Sequence, residues 1–398
     1  MFKTRKLGLF LAAFAVLILV LSACAAETVE VTRVVEQEVE VTRVVTETEV
    51  VEGEEVEVTR IVTETVIEEV MVEPEEEMMD VVTLNRNLGT EPPTADPALV
   101  TDTTSAEVVH NTFISLTRLD QVTAEVLPWL ATDWVDGVDA DGNQTWTFNL
   151  RDDVKWVAWD NDSQSVVEAL DDEGNPRFVM PSDVEFGVKR SIDPETASQY
   201  AYLLYGIKNA QPVNEGDEEL TLDDVGVTCD DEALTCVFTL ESPAPWFPSI
   251  VTMPTATPQP AWTIESYGDN WIEPGLTNSS GPYVMSEWIH GSSMQLIKNP
   301  FWIEADKVQI EHVDYDMVVE ASTSFAMYEN NELDTAAPPL PEMDRVKADP
   351  VLSEELDILP LSCTYFYGFI NNKYPMSDAR VRLAFSQAVD RQSLVDNV

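Results

Sequence analysis

From Val81 onward the sequence predicts an α/β fold built in more than one lobe. Three observations carry that expectation. Segments that alternate apolar and polar residues, the strand period, recur through this region, and segments with apolar residues at helical spacing stand between them. Every aromatic residue downstream of Cys24 lies after Val81, so the material for a core is concentrated there. The length left after a leader is removed suffices for two domains.

The chain opens with Lys3, Arg5 and Lys6, followed by the apolar run Leu7–Leu21 and then "LSAC" at 21–24. Basic residues, a short apolar stretch and small residues before a cut describe a secretory signal over 1–23. The run is shorter than the roughly 20 residues a spanning helix needs. An uncleaved N-terminal anchor helix is the alternative. "LSAC" resembles the bacterial lipobox, which implies cleavage before Cys24 and lipidation of its thiol. Acyl chains then hold the protein at a membrane by burying methylenes.

Residues 24–80 form an acidic, low-complexity segment in which "VEVTRVV" occurs at 29–35 and 39–45 and returns as "VEVTRIV" at 56–62. Valine alternates with Glu or Thr, the period of a strand with one buried face, yet no turn separates the copies and nothing stands by to cover that face. Of an extended solvated stalk, a helical spacer and a strand array, the like charges favour the stalk. As a tether of about 50 extended residues it would reach on the order of 150 Å. The whole chain carries a formal net charge of −51. A surface of that sign repels phosphate backbones and excludes nucleic acid as a partner.

In the globular part, "DVVTLNRN" (80–87) alternates like a strand, and "SAEVVHNTFISLTRL" (105–119) has helical spacing. "QTWTFNLR" (144–151) puts Trp146, Phe148 and Leu150 on one face of a strand, after the turn residues Asp141, Gly142 and Asn143. "PSDVEFGVKRSID" (181–193) reads as a helix with Ser182 as N-cap and Val184, Val188 and Ile192 inward. "GVTCDDEALTCVFTL" reads as two short strands around a polar turn. Cys229 and Cys236 could then face each other, as a disulfide in the favoured reading or as two reduced thiols. "SDARVRLAFSQAVDRQSLVDNV" (377–398) reads as an amphipathic helix with Val381, Ala384, Phe385, Ala388 and Val389 inward.

Nothing in the chain reads as catalytic or metal-binding. His110, His290 and His312 are far apart, and no GxSxG, HExxH or phosphate-loop pattern occurs. The residues alone point to a binding protein without cofactor and leave its ligand unnamed.

Four stretches resemble, in order, the family 5 solute-binding proteins of bacterial ABC importers. "LGTEPPTADPAL" (88–99) resembles the family's opening motif, with Ala95 in place of the usual leucine. "LPWLATDWVDGVDADGNQTWTFNLRDDVKW" (127–156) resembles its signature hairpin. "SSGPYVMSEWIHGSSMQLIKNPFW" (279–302) and "FINNKYPMSDARVRLAFSQAVDRQSLV" (369–395) resemble two further family segments. "SIDPETASQYAYLLYG" (191–206) and Cys363 before a Tyr-rich strand look most like the oligopeptide-binding branch. A departure is "VAWDNDSQSVVEALDDEGNPRFVMPSDV" (157–184), an insertion expected to form a surface loop or extra hairpin.

The resemblance implies a two-lobed periplasmic-binding-protein-like clamp of type II with an extra subdomain, whose C-terminal part is missing. Residues 81–362 would make the first lobe and its inserted subdomain, and 363–398 the truncated start of the second. A partner for Cys363 would lie beyond the end of the chain. It further implies a lipid-anchored, monomeric receptor on the extracytoplasmic face of the cytoplasmic membrane. That receptor captures peptides, oligopeptides foremost, and delivers them to a permease with a cytoplasmic ATPase. The implied ligand contacts are Thr101, Asp102 and Thr103 after the opening motif, Tyr200, and Tyr367, Phe369 and Asn371 on the strand "YFYGFINN". An oligosaccharide or other small solute in the same fold is the alternative, and an envelope hydrolase or adhesion module the next.

Overall fold

The computed structural model describes residues 33–51, 54–72, 81–358 and 366–397. The chain divides into two units, Met1–Asp80 and Val81–Val398. In the first, β1 (Arg33–Val51) and β2 (Glu54–Val72) pair antiparallel along their whole length, from Arg33 opposite Val72 to Val51 opposite Glu54. The repeat therefore pairs with itself instead of running as an extended, unpaired stalk. The alternation supports this in backbone terms, because strand-forming valines recur on both strands and Val39 stands opposite Val66, Val44 opposite Ile61. Gly53, the one glycine of the segment, falls between the two strands.

In the second unit, a four-stranded sheet runs in the order β13 (Tyr283–Ile289), β14 (Ser293–Lys298), β15 (His312–Asp316), β3 (Thr83–Asn87). Its last pair is parallel, with Thr83 opposite His312, so the chain leaves this sheet after Asn87 and re-enters it at Tyr283, almost two hundred residues later. A bulge between Met285 and Glu287 is closed by the Ser286 hydroxyl, which donates to the carbonyl of Gln295 at 3.3 Å. Val108, Met285, Met294, Leu296 and Val313 form the small core on this sheet.

A second four-stranded sheet has the order β10 (Val227–Asp230), β11 (Thr235–Thr239), β7 (Gln144–Leu150), β6 (Ala131–Val138). The β6–β7 turn is set by Asp139, whose Oδ1 accepts from the backbone N–H groups of Asp141 (3.0 Å) and Asn143 (2.8 Å), while Gly142 takes φ +92°. Phe148 and Leu150 are buried as their alternation requires. Cys229 and Cys236 stand directly opposite each other on β10 and β11, with their sulfurs bonded at 2.02 Å. The insertion forms a hairpin of β8 (Val157–Asp160) and β9 (Ser165–Glu168), extended by β12 (Asn278–Ser279). A short pair, β4 (Thr117–Leu119) with β5 (Val126–Pro128), precedes β6.

The helix expected over 105–119 is shorter. α1 spans Thr103–Thr112 and stops because the Thr112 carbonyl is taken by the N–H groups of Ser280 and Gly281, each at 2.9 Å, which turns Phe113 into extended backbone on the way to β4. α2 spans Pro181–Ile192 with Val184, Val188 and Ile192 fully buried. Each such side chain contributes roughly 1.5–3 kcal/mol of transfer free energy. Ser182 is not its N-cap. Met180 takes that place, Pro181 opens the helix, and the Asp183 carboxylate accepts from the Met180 N–H at 2.9 Å; the Ser182 N–H is used by Asp231 at 2.8 Å. α2 presents Gly187 to the segment 254–257, where a Cβ would sit 2.2 Å from the Thr257 carbonyl oxygen.

α3 (Ala261–Tyr267) and α4 (Ala321–Glu329) come next. The C-terminal helix is interrupted at Val389–Asp390 into α5 (Ala379–Ala388) and α6 (Arg391–Asn397). Its expected inward face is not buried: Phe385 is 53% and Val389 48% exposed. Residues 366–372 form no strand. A strand needs a neighbour for its N–H and C=O groups, and among the described residues none runs beside this segment.

Candidate functional site

The opening motif is fixed by one buried carboxylate. Asp96 Oδ1 accepts from the N–H of Ala98 at 2.9 Å, which shapes the turn Pro97–Leu99. Arg190, near the end of α2, grips Asp96 with both arms of its guanidinium, at 2.8 and 2.7 Å. The Trp271 indole N–H donates to Asp96 Oδ2 at 3.2 Å, and Gln259 Oε1 accepts from Arg190 at 2.7 Å. Four distant segments thus meet at the Asp96–Arg190 pair. A charge removed from water needs this number of partners to be tolerable.

That knot positions the residues immediately downstream of Asp96. The Ser198 hydroxyl donates to the Ala98 carbonyl at 2.5 Å, and the Tyr200 hydroxyl donates to the Thr101 carbonyl at 3.0 Å. The rings of Tyr200 and Tyr202 meet edge to face at 5.6 Å. Asp102 caps α1: its Oδ1 accepts from the Ser105 N–H at 2.8 Å, where the positive helix end favours a carboxylate. Its Oδ2 is buried without a hydrogen-bond partner, and so is the Thr255 hydroxyl. Residues 254–256 pack against α1, whose N-cap is Asp102. Two unpartnered polar atoms therefore occur on segments joined by these contacts. Unpaired buried acceptors are costly in a closed core and ready to receive a donor from a ligand.

The structure brings Thr101, Asp102, Thr103 and Tyr200 together. It does not bring Phe369 or Asn371 to them: Phe369 packs on Phe385 at 5.8 Å, and Asn371 is exposed with no hydrogen bond to the group. Tyr367 is 83% exposed on the same strandless segment. Cys24 and Cys363 lie outside the described residues.

Beside the 254–256 segment lies a cavity of about 700 Å³ that sequence reasoning missed. Thr252 and Met253 form one wall, Phe113 and Leu127 another, and Arg118 with Trp129 a third. The Arg118 guanidinium carbon lies 4.0 Å from the Trp129 ring centroid. His110 also lines the cavity; the protein around its ring desolvates the imidazolium and lowers its pKa from the ordinary histidine value, although part of the residue stays exposed. A sequence signal was present: Arg118 is a cation in a strongly acidic chain. Among the described residues no group of three or more His, Cys, Asp or Glu is arranged to hold a metal ion, and no helix is long and apolar enough to cross a membrane.

Comparison with known proteins gives consistent matches. The family described as bacterial extracellular solute-binding proteins, family 5 Middle, matches residues 125–398. The periplasmic oligopeptide-binding protein OppA of Escherichia coli K12 is 31% identical over 318 residues, covering 79% of this chain and 54% of the relative. The oligopeptide-binding protein OppA of Bacillus subtilis 168 is 31% identical over 326 residues, with the same coverage of 79% and 54%. The solved structure of Burkholderia pseudomallei OppA superposes with a TM-score of 0.68 at 27% identity, covering 80% of this chain and 57% of that one. The chain spans about half the length of the curated relatives it matches.

Proposed function

Because the chain belongs to the bacterial extracellular solute-binding proteins of family 5, we propose that it is the substrate-binding part of an ABC importer that captures peptides. The observation that carries this reading is the junction of Thr101, Asp102 and Tyr200. There a buried carboxylate oxygen without a partner sits at a helix N-terminus beside a tyrosine fixed by the main chain. A peptide backbone N–H is the donor such an acceptor suits, and main-chain recognition gives affinity with little side-chain choice. Binding in an interlobe cleft would then shift the population toward a closed form that docks on the permease, with its cytoplasmic ATPase behind it.

Residues 81–362 are read as the first lobe with its inserted subdomain and 363–398 as the start of the second. Tyr367, Phe369 and Asn371 would reach the ligand only from the second lobe in a closed state. Trp156, Trp159, Trp271, Trp288 and Trp302 are buried, which removes these five as stacking platforms for sugar rings, while Trp246 stays 62% exposed. The protein is read as a monomeric binder without catalytic activity.

Isothermal calorimetry of the full chain with a mixed tripeptide pool and with cello-oligosaccharides tests this. Heat is expected from the peptides, lost in Asp102→Ala and reduced in Tyr200→Phe; heat from the sugars alone would overturn the peptide reading. Turnover of a peptide or glycoside, abolished by changing one carboxylate, would overturn the binding reading. Cys24 is proposed as the lipidated residue that holds the protein at the extracytoplasmic face of the membrane, with residues 24–80 as tether. Cys24→Ser should then release it from membranes, and continued attachment would refute the anchor.

A further inference from the structure

We propose that the cavity walled by Arg118 and Trp129 is a separate binding site for a carboxylate carried on an apolar body. This goes beyond the peptide reading and does not depend on it. Of the sixteen lysines and arginines described between Arg86 and Arg391, nine form an ion pair with an acid, and Arg118 is among the seven that do not. Among the described residues Arg118 has no side-chain hydrogen bond and no ion pair; its guanidinium lies over the Trp129 face, 4.0 Å away, and reaches Asp120 and Glu304 through its charge alone.

The two carboxylates whose titration its charge affects form no ion pair with it, although Asp120 lines the same cavity. Asp120 Oδ1 accepts from the N–H groups of Val122 (2.9 Å) and Thr123 (2.8 Å), and Glu304 pairs with Lys307 at 2.7 Å. The guanidinium is thus held by its face, leaving its edges, the fork that takes a carboxylate by two parallel hydrogen bonds, without a partner. Trp129 is itself steadied by Trp302, edge to face at 5.3 Å.

The remaining walls are mixed, with Asp120, Gln121 and His110 as polar groups beside apolar ones. Phe113, Leu127 and Met253 supply apolar surface. The two hydroxyls of the lining are already spent as donors: Ser115 donates to the Thr117 carbonyl at 2.7 Å and Thr252 to the Ser249 carbonyl at 2.8 Å. A volume of about 700 Å³ accommodates a ligand of drug-like size. A cation held by its face beside the apolar wall of Phe113, Leu127 and Met253 selects an anion with an apolar remainder over a neutral polar molecule.

The test is calorimetry of the full chain with 3-phenylpropionate, 3-phenylpropionamide and the tripeptides Ala-Glu-Ala and Ala-Gln-Ala. The variants are Arg118→Gln and Arg118→Lys, each checked by thermal melt. The acid should bind and the amide should not, and Arg118→Gln should weaken binding roughly 10- to 100-fold, as loss of a charge-assisted pair does. Arg118→Lys, which keeps the charge and loses the fork, should fall between. Binding of phenylpropionate alone, or of the glutamate peptide over its glutamine form, tells whether a free acid or a peptide side chain is the source; either supports the site. Equal binding of acid and amide, unchanged affinity in a normally melting Arg118→Gln, or no binding of either carboxylate at millimolar concentration would overturn it. Tight binding of Ala-Gln-Ala by wild type and variant alike, with the carboxylates inert, would remove this site and leave the peptide reading standing.

Discussion

Asp96→Asn should be among the most damaging single substitutions in the unit 81–398. Asp96 is 3% exposed and accepts from Arg190 at both oxygens, from the Ala98 N–H and from the Trp271 indole. Asparagine fits the space but keeps one acceptor and loses the charge, so Arg190 is left largely buried with only Gln259 facing it. Removing one partner of a buried pair costs about 3–5 kcal/mol. Because Gln259 and some remaining solvent access relieve Arg190, a value near 3 kcal/mol is expected. With a urea dependence of about 3 kcal/mol/M, the unfolding midpoint should fall by roughly 1 M. Trp271 lies on the knot, so its fluorescence reports the transition. The double variant Asp96→Asn with Arg190→Met should lose less than the sum of the two single changes, since the stranded charge is gone. A midpoint shift of the single variant below roughly 0.3 M would refute the reasoning.

Other outcomes are expected from the same geometry. Asp183 is buried and its pKa is pushed up to about 6, first by burial, against hydrogen bonds from the Met180 N–H and the Trp156 indole. The folded state therefore binds its proton more tightly than the unfolded chain, so this group's contribution is present below about pH 4 and is lost as pH rises through about 6. Asp183→Asn should flatten the stability profile over that window by on the order of 2–3 kcal/mol, and an unchanged profile would count against the assignment. His290 bonds Glu91 at 2.7 Å and lies 3.4 Å from Glu273, and these carboxylates raise its pKa, Glu91 foremost. Its contribution should be full below its unfolded value and fade as pH rises through the folded one. Hydrogen exchange of residues 88–96 should thus be slower at acidic than at alkaline pH relative to His290→Gln, and equal ratios would sink the idea. Gly187→Ala forces a Cβ against the Thr257 carbonyl and should destabilise by about 1–3 kcal/mol, whereas Gly206→Ala, with open space around it, should be mild; comparable melts would contradict the packing.

Where contacts are local, the sequence was a good guide. The β7 alternation, the Asp139 turn, the β10–β11 hairpin and the buried stripe of α2 each depend on residues within a few positions of one another. What it could not convey is distance in the fold. The pairing of β3 with β15, the grip of Arg190 on Asp96 across 94 residues, and the arrival of Thr252 and Met253 beside Arg118 leave no periodic trace. Ser182 has the chemistry of a cap but stands two residues past Met180, and Asp183 reaches back to Met180 instead. The segment 366–397 failed differently. Its pattern is sound for a strand and an amphipathic helix, but a pattern becomes burial only where another element lies against it, and Phe385 and Val389 stay in solvent. Of the candidate site, Thr101, Asp102 and Tyr200 were legible because the opening motif and the "ASQY" segment each hold together locally. Arg118 is visible in the sequence as a cation in an acidic chain, but its lack of an acid partner is not, because that is defined by what fails to approach it.

The self-paired repeat changes what residues 33–72 can do mechanically. Each strand of 19 residues is about 60 Å long, yet Arg33 and Val72 face each other as one rung. The ribbon is a side-arm: it adds only about 5 Å to the contour between the chain on its N-terminal side and the chain on its C-terminal side. Tension applied at those two ends would peel the ladder open one rung at a time, since the load falls on a single pair and is never shared along the strands. Peeled fully, the same residues would extend by roughly 120 Å. Under such a load the number of rungs would set how much length the ribbon could release.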